Sequence, residues 1–341
     1  MRIGIDVGGT HTDAVLLDGM AIVTSHKALT TTDVRQGIIE ALDAVMSETN
    51  TEPGSIEAVM IGTTHFTNAV IERRELAETA IIRVCLPTGS GLPPMCDWPE
   101  DIGAVVGNHC YMIAGGHFFN GKPIACIDEA ETNKVIEDIS SKNIKDIAIA
   151  AAFSPANPEH EIAVANLLLK IIPDANISLS HKLGRLGILE RENAAILNAS
   201  LGVLAGRVVY SMKAALKERR IKCPFYISQN DGTLMSAEYI ANFPALTFSS
   251  GPTNSIRGAA ILSGIDNAIV VDIGGTTSDV GVLADGFPRE SNSHIEVGGV
   301  RTNCRMPDIL PIGLGGGSLV KEGGNVIGPQ SAGHHLVKES L

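Results

Sequence analysis

Two stretches of this sequence carry the same set of residues suited to holding phosphate. Ile3-Gly-Ile-Asp-Val-Gly-Gly-Thr-His-Thr-Asp-Ala-Val-Leu-Leu-Asp18 returns as Val270-Val-Asp-Ile-Gly-Gly-Thr-Thr-Ser-Asp-Val-Gly-Val-Leu-Ala-Asp285, so the pattern D-[VI]-G-G-T-x-[ST]-D occurs twice. Paired glycines let backbone come close to a ligand and reach positive φ, so successive N–H groups can form an anion-binding nest, with Thr and Ser hydroxyls as further donors. Gly8, Gly9, Thr10, His11 and Thr12 in the first copy, and Gly274, Gly275, Thr276, Thr277 and Ser278 in the second, are therefore candidates to bind nucleotide phosphates. The leading aspartates, Asp6 and Asp272, are placed to hold Mg²⁺, which takes few carboxylates and keeps much of its water. Asp13 and Asp279 complete the candidate catalytic set. Each either orients an attacking group or fixes its own hairpin by accepting backbone N–H bonds.

A third glycine-rich stretch, Ile312-Gly-Leu-Gly-Gly-Gly-Ser318, offers bare backbone on which adenine or ribose can lie, through Gly313, Gly315, Gly316, Gly317 and Ser318. Ser249-Ser-Gly-Pro-Thr-Asn-Ser255 opens a predicted helix, either as an anion site or as an ordinary capped start. Gly62-Thr-Thr-His-Phe-Thr-Asn68 reads as a polar loop at a strand's end, with Thr63, Thr64 and Asn68 as candidate substrate contacts. His65 reads as a plain loop residue, because the sequence identifies no partner for it. Cys85, Cys96, His109, Cys110 and His117 share one segment, but their irregular spacing fits buried or loop residues better than a zinc site.

The elements that must position these residues alternate strand and helix. In each copy of the repeat, apolar and β-branched runs flank the glycine turn and Asp-Gly supplies a further turn, which predicts two matching β-hairpins. Asp146–Phe153 reads as an apolar strand. After it, Asn157 caps a helix that begins with Pro158, along which Ile162, Leu167, Leu168 and Ile171 form an apolar stripe. Ile177–Ser180 is a short strand. Leu186–Ile221 reads as two helices broken near Gly202 or Gly206 and connecting two domains, with a second α/β domain opening at the strand Pro224–Ser228. The fold class expected is α/β, with a ligand cleft between domains 1–185 and 186–341.

Bulk composition narrows the function. A chain of 341 residues is long enough for two cores, and 44% hydrophobic with 19% charged residues describes a well-filled folded protein. A net charge of −12 gives no footprint for a nucleic-acid backbone. The six cysteines form no C-x-x-C pair and read as reduced thiols. Met1–Gly9 reads as a strand and its turn rather than as a leader, so a cytoplasmic location is expected. The most apolar run, Ile144–Phe153, carries Lys145 and Asp146 and falls far short of the roughly 20 residues that span a bilayer. No membrane or nucleic-acid partner is expected.

Two such hairpins followed by a G-x-G-G-G-S loop resemble the two phosphate motifs and the adenosine motif of the superfamily that unites actin, sugar kinases and heat-shock ATPases. Within it the chain resembles the hydantoinase A/oxoprolinase family, through Gly62–Arg73, Phe153-Ser-Pro-Ala-Asn-Pro-Glu-His-Glu161, Glu190-Arg-Glu-Asn-Ala-Ala-Ile-Leu-Asn-Ala-Ser-Leu201, Gln229–Glu238, Ser249–Ala259 and Asp272–Asp279. The resemblance implies two ribonuclease-H-like domains, ATP and Mg²⁺ in the cleft, and phosphorylation of a cyclic amide (hydantoin, 5-oxoproline or a related lactam) before ring opening. It also implies a second hydantoinase-type subunit and an oligomer. Cys85–Phe119 carries no family pattern. Two other functions fit the same nucleotide site: a stand-alone small-molecule kinase, and an ATP-driven regulatory or reactivating protein.

Overall fold

The computed structural model describes residues 1–7, 11–29, 34–275, 277–291 and 294–332. The chain opens with the first predicted hairpin, β1 (Arg2–Val7) and β2 (His11–Asp18), followed by β3 (Ala21–Leu29), α1 (Val34–Thr49), β4 (Ala58–Thr63) and α2 (His65–Glu72). Strict alternation puts Ile3, Ile5 and Val7 of β1 and Ala14 and Leu16 of β2 on one buried face, under Ile38, Leu42 and Val45 of α1. The opposite face carries Gly4, Asp6, Asp13 and Val15 and lines a groove.

A second unit follows: β5 (Thr79–Leu86), α3 (Glu100–Val106), β6 (His109–Ala114), α4 (Glu129–Ser141), β7 (Asp146–Ala151), α5 (Glu159–Ile171) and β8 (Asn176–Leu179). Its sheet is all parallel, in the order β6-β5-β7-β8. The helix predicted after β7 forms one residue later than expected, from Glu159 with Pro158 at its cap, and Asn157 Oδ1 accepts from the Glu159 N–H at 3.1 Å.

The predicted helical pair is α6 (Ile188–Ser200) and α7 (Gly202–Glu218), with a 48° bend between them at Leu201. Residues 191–200 of α6 are all buried, so its polar groups need partners. Arg83 on β5 donates to both oxygens of Glu192, at 2.6 Å each. The Arg191 guanidinium caps the carbonyls of Arg185, Leu186 and Ala151. These bonds lock the parallel unit against α6.

Next come β9 (Phe225–Ser228), β10 (Leu234–Ser236), α8 (Ala237–Asn242) and α9 (Ser250–Ser263). β9 does not open a new domain, as the sequence suggested at Pro224. It lies parallel to β4 and completes the first sheet in the order β10-β9-β4-β1-β2-β3. Strands on both sides of the expected boundary at 185/186 thus share one sheet. The physical reason is that the free edge of β4 offers unpaired backbone groups and β9 satisfies them, a pairing that no local pattern encodes.

The last part holds the second hairpin, β11 (Ala268–Ile273) and β12 (Ser278–Ala284), then β13 (Phe287–Pro288), β14 (Ile295–Val297), β15 (Val300–Thr302), β16 (Ile309–Ile312), β17 (Ser318–Lys321) and β18 (Val326–Ser331). β12 is flanked by β11 on one edge and by β13 and β16 on the other. α9 joins the two sheets: it borders the groove of the first and packs Ile256 and Ala260 against Leu283 of the second. A Cβ on Gly281 would lie 2.2 Å from Ile256 Cδ1, so glycine lets the helix sit this close to β12. Among the described residues no single helix is long and apolar enough to cross a membrane.

Candidate functional site

Both copies of the repeat fold as the same hairpin in the same register. Asp6 stands opposite Asp13 in the β1–β2 ladder, and Asp272 stands opposite Asp279 in the β11–β12 ladder. Gly8, Gly9, Thr10 and Thr276 lie outside the described residues. His11 and Thr12 begin β2, and Thr12 is fully buried.

β4 runs parallel to β1 and sets Gly62 beside Asp6. A Cβ at Gly62 would lie 2.5 Å from Asp6 Oδ1 and 2.8 Å from Asn254 Nδ2. Glycine is therefore required for the Asp6 carboxylate and the Asn254 amide, from the first turns of α9, to approach over β4. The three residues border a groove of about 830 Å³ that also takes in Asp13, Lys27 and Arg257.

The electrostatics tie the two hairpins together. Asp6 is raised above the ordinary carboxylate pKa by burial among the surrounding groups, then by the charges of Asp13 and Asp272. Asp279 is raised by burial and by Asp272. The leading aspartates of the two sheets thus converge. Asp13 has a cationic partner, Lys27 on β3, at 3.1 Å, while Asp6, Asp272 and Asp279 have none among the described residues.

Among the described residues no three His, Cys, Asp or Glu side chains could hold a metal by themselves.

The third glycine-rich loop is stitched to the second glycine turn. Gly274 N–H closes the turn on Thr277 O at 2.8 Å, and Gly316 and Gly317 donate to Gly274 O and Gly275 O at 3.0 and 2.7 Å. Ser278 Oγ donates to Leu314 O at 2.6 Å, and Ser318 Oγ accepts from Gly315 N–H at 2.9 Å. Gly313 lies against Pro329, where a Cβ would come within 3.1 Å of the ring. Because a trans peptide points its C=O and N–H in opposite directions, binding Gly274 O to the loop turns the Gly275 N–H away from it.

Thr63 ends β4, Thr64 precedes α2 and Asn68 lies in its first turn. Thr63 Oγ1 accepts from His65 N–H at 3.1 Å, and Asn68 Nδ2 donates to Thr64 Oγ1 at 3.3 Å. Thr64 Oγ1 also donates to Val7 O at 3.5 Å, which brings this helix start to the end of β1. His65 has a partner that the sequence did not reveal, Glu75 at 3.6 Å. Burial lowers its pKa against the opposing pull of Glu75.

Sequence reasoning missed Lys27, Asn254 and Arg257. Arg257 lies over the Phe287 ring at 4.0 Å and bonds Gly286 O, so α9 also holds the outer turn of the second hairpin. Their signal was present only as position within the Ser249–Ala259 motif and at the end of β3. Asn230 Oδ1 and Nδ2 and Ser250 Oγ, buried and without a partner among the described residues, border the start of α9, where Thr253 Oγ1 donates to Asn230 O at 3.0 Å. Of the suspected cysteine and histidine group, His109 pairs with Glu78 at 2.6 Å and His117 stacks on His160 at 4.2 Å.

Comparison with known proteins agrees along the whole chain. Residues 2–172 match the hydantoinase/oxoprolinase N-terminal region, and residues 191–337 match hydantoinase/oxoprolinase. Caprolactamase subunit alpha of Pseudomonas jessenii is 25% identical, over 97% of this chain and 51% of that protein. Among solved structures, ATP-dependent caprolactamase from the same organism superposes with a TM-score of 0.81 at 24% identity, over 98% of this chain and 51% of that one. Nucleotide-free acetone carboxylase gives a TM-score of 0.73 at 21% identity, over 98% and 51%. These likenesses show the fold, of the α/β class expected from the sequence. The chain spans about half the length of the relatives it matches.

Proposed function

Because the chain belongs to the hydantoinase/oxoprolinase family, we propose that it is the nucleotide-binding part of an ATP-dependent enzyme that phosphorylates and opens a cyclic amide. The observation that supports this reading is that Asp6 lines a groove with Gly62 and Asn254 and feels the charge of Asp272, the matching aspartate of the second hairpin. The name of the P. jessenii relative, caprolactamase, supports a lactam as substrate class.

In this reading Asp6 and Asp272 hold Mg²⁺, and the amides of the two glycine turns hold the phosphates. Mg²⁺ bound there supplies neutralisation of phosphate charge, the main requirement of phosphoryl transfer. Burial and the charges of Asp13 and Asp272 raise the Asp6 carboxyl, and a bound cation would favour its ionised form. Lys27 holds Asp13 in place across the ladder. The loop 313–318 keeps the Gly275 N–H aimed off the turn, and Arg257 and Ile256 of α9 keep the second hairpin in position against the first sheet. Thr63, Thr64 and Asn68, at the end of β4 and the start of α2, would meet the substrate.

A screen of ATP hydrolysis with hydantoins, 5-oxoproline and larger lactams, with and without a second hydantoinase-type subunit, tests the proposal. The expected result is stimulation by one lactam class. ATP turnover that no lactam changes, with or without the subunit, would overturn it. Phosphorylated product released by this chain alone would instead mark a stand-alone kinase.

A further inference from the structure

Away from the aspartates, a second cavity of about 570 Å³ opens between the end of α7, the start of β9 and the start of α8. Its size falls within the range of about 300–1,000 Å³ in which small-molecule sites lie. It shares no lining residue with the groove of Asp6. The groove meets β9 at Ser228, whereas this cavity meets it at Phe225 and Tyr226, at the other end of the strand.

Inner lining and rim differ in chemistry. Leu216, Ile221, Phe225 and Ala237 line the cavity and are buried and apolar. The rim carries four cations, Lys213, Lys217, Arg220 and Lys222, against one carboxylate, Glu238. Lys213 pairs with that carboxylate at 2.8 Å, and Lys217, Arg220 and Lys222 have no carboxylate partner among the described residues. In a chain of net charge −12, three unpaired cations around one cavity make a local field that attracts an anion.

The end of α7 places these charges. Ile221 N–H bonds Leu216 O at 2.9 Å and Arg220 N–H bonds Lys217 O at 3.0 Å, a Schellman closure that puts Arg220 at φ 58°. Glycine is the usual residue at this place, because a Cβ is disfavoured there. A helix end favours a cation such as Lys217 beside its last carbonyls, but it gives no reason for an arginine in the glycine position or for Lys222 two residues further on.

We propose that this cavity binds a small amphiphilic anion, a carboxylate with an aliphatic or aromatic body. The body lies on Leu216, Ile221 and Phe225, and the carboxylate meets Arg220 together with Lys217 and Lys222. Guanidinium suits this role, since its forked N–H donors match the two oxygens of a carboxylate. The inference rests on the cavity and its charges and is independent of the reaction proposed above.

Octanoate is the test probe, with octanamide as an uncharged counterpart of the same shape. Cys223 is half-buried in the cavity wall, so its alkylation by N-ethylmaleimide, read by mass spectrometry, reports occupancy, and the exposed Cys96 and Cys126 serve as internal controls. At about ten times its Kd, measured by titration calorimetry, octanoate should slow Cys223 alkylation roughly tenfold and leave the two controls unchanged. Octanamide should bind roughly tenfold more weakly, and so should octanoate to the triple variant Lys217→Ala, Arg220→Gly and Lys222→Ala. Tm of that variant should not fall, because the three side chains are exposed and glycine suits the Arg220 backbone. The comparison of octanoate with octanamide needs no variant and decides by itself. Absence of Cys223 protection by octanoate, equal protection by octanamide, or a folded variant that binds octanoate as tightly as the unaltered protein would each overturn the proposal. Protection by anionic phospholipid vesicles and not by octanoate would make the surface a membrane dock and overturn it as well.

Discussion

The charge of Asp272, at the end of β11, reaches Asp6, at the end of β1, and adds to burial and to Asp13 in holding the Asp6 carboxyl above the ordinary carboxylate range. Residues 266 positions apart in a repeated pattern thus lie close enough for the charge of one to be felt at the other. An interaction of this kind arises only if the two hairpins point their leading aspartates into one space.

Removing either charge should therefore remove activity without unfolding the protein. Asp6→Asn and Asp272→Asn are each expected to lower ATP turnover by about 10²–10³-fold, the usual cost of losing one electrostatic contact to a developing charge. Since Asp6 faces Asp13 across the ladder, Asp6→Asn should raise Tm slightly rather than lower it. A turnover assay with a thermal melt checks both halves of the expectation.

Because the folded-state pKa of Asp6 is raised, its contribution to stability is complete below the ordinary value of 3.8 and is lost as pH rises through the folded value. A divalent cation favours the ionised carboxylate, so Mg²⁺ affinity should fall as pH is lowered through the same window. Titration calorimetry in buffers of different ionisation heat should detect proton release on Mg²⁺ binding, and Asp6→Asn should abolish that release.

Gly62→Ala places a methyl group 2.5 Å from Asp6 Oδ1 and 2.8 Å from Asn254 Nδ2. The carboxylate must move, so turnover and Mg²⁺ affinity should both drop. The stability cost should stay at about 1–3 kcal/mol, as for other overpacked sites. Urea unfolding monitored beside the Mg²⁺ titration separates the two effects.

Arg83→Met leaves the buried Glu192 carboxylate without its bidentate partner. A loss of about 3–5 kcal/mol is expected, because an uncompensated buried charge remains. The double variant Arg83→Met with Glu192→Leu should recover most of that loss. The check is a pair of denaturant titrations.

Much of this organisation was legible in the sequence because it is local. The twin hairpins follow from alternating apolar strands and paired glycines, the α5 start from Asn157 and Pro158, and the break between α6 and α7 from the glycine at 202. The hydantoinase/oxoprolinase likeness rested on the same short motifs. The candidate site was legible only in part: the four aspartates could be named from the pattern, whereas Asn254 gave no sign of where it would stand.

Tertiary structure alone decided what lies beside what. β9 joins β4 across the whole length of the parallel unit, because an open sheet edge accepts any strand that can reach it and residue types do not label the edge. The loop 313–318 braces the second glycine turn through backbone groups, which every residue carries alike. Lys27 meets Asp13, and Asn254 meets Asp6 over Gly62, only once ladder register and helix packing have set those distances. Sequence determined which groups were available, since side-chain chemistry and local backbone preference belong to each residue. Long-range hydrogen bonding and burial determined which of them share a site, since those energies exist only between segments already brought together.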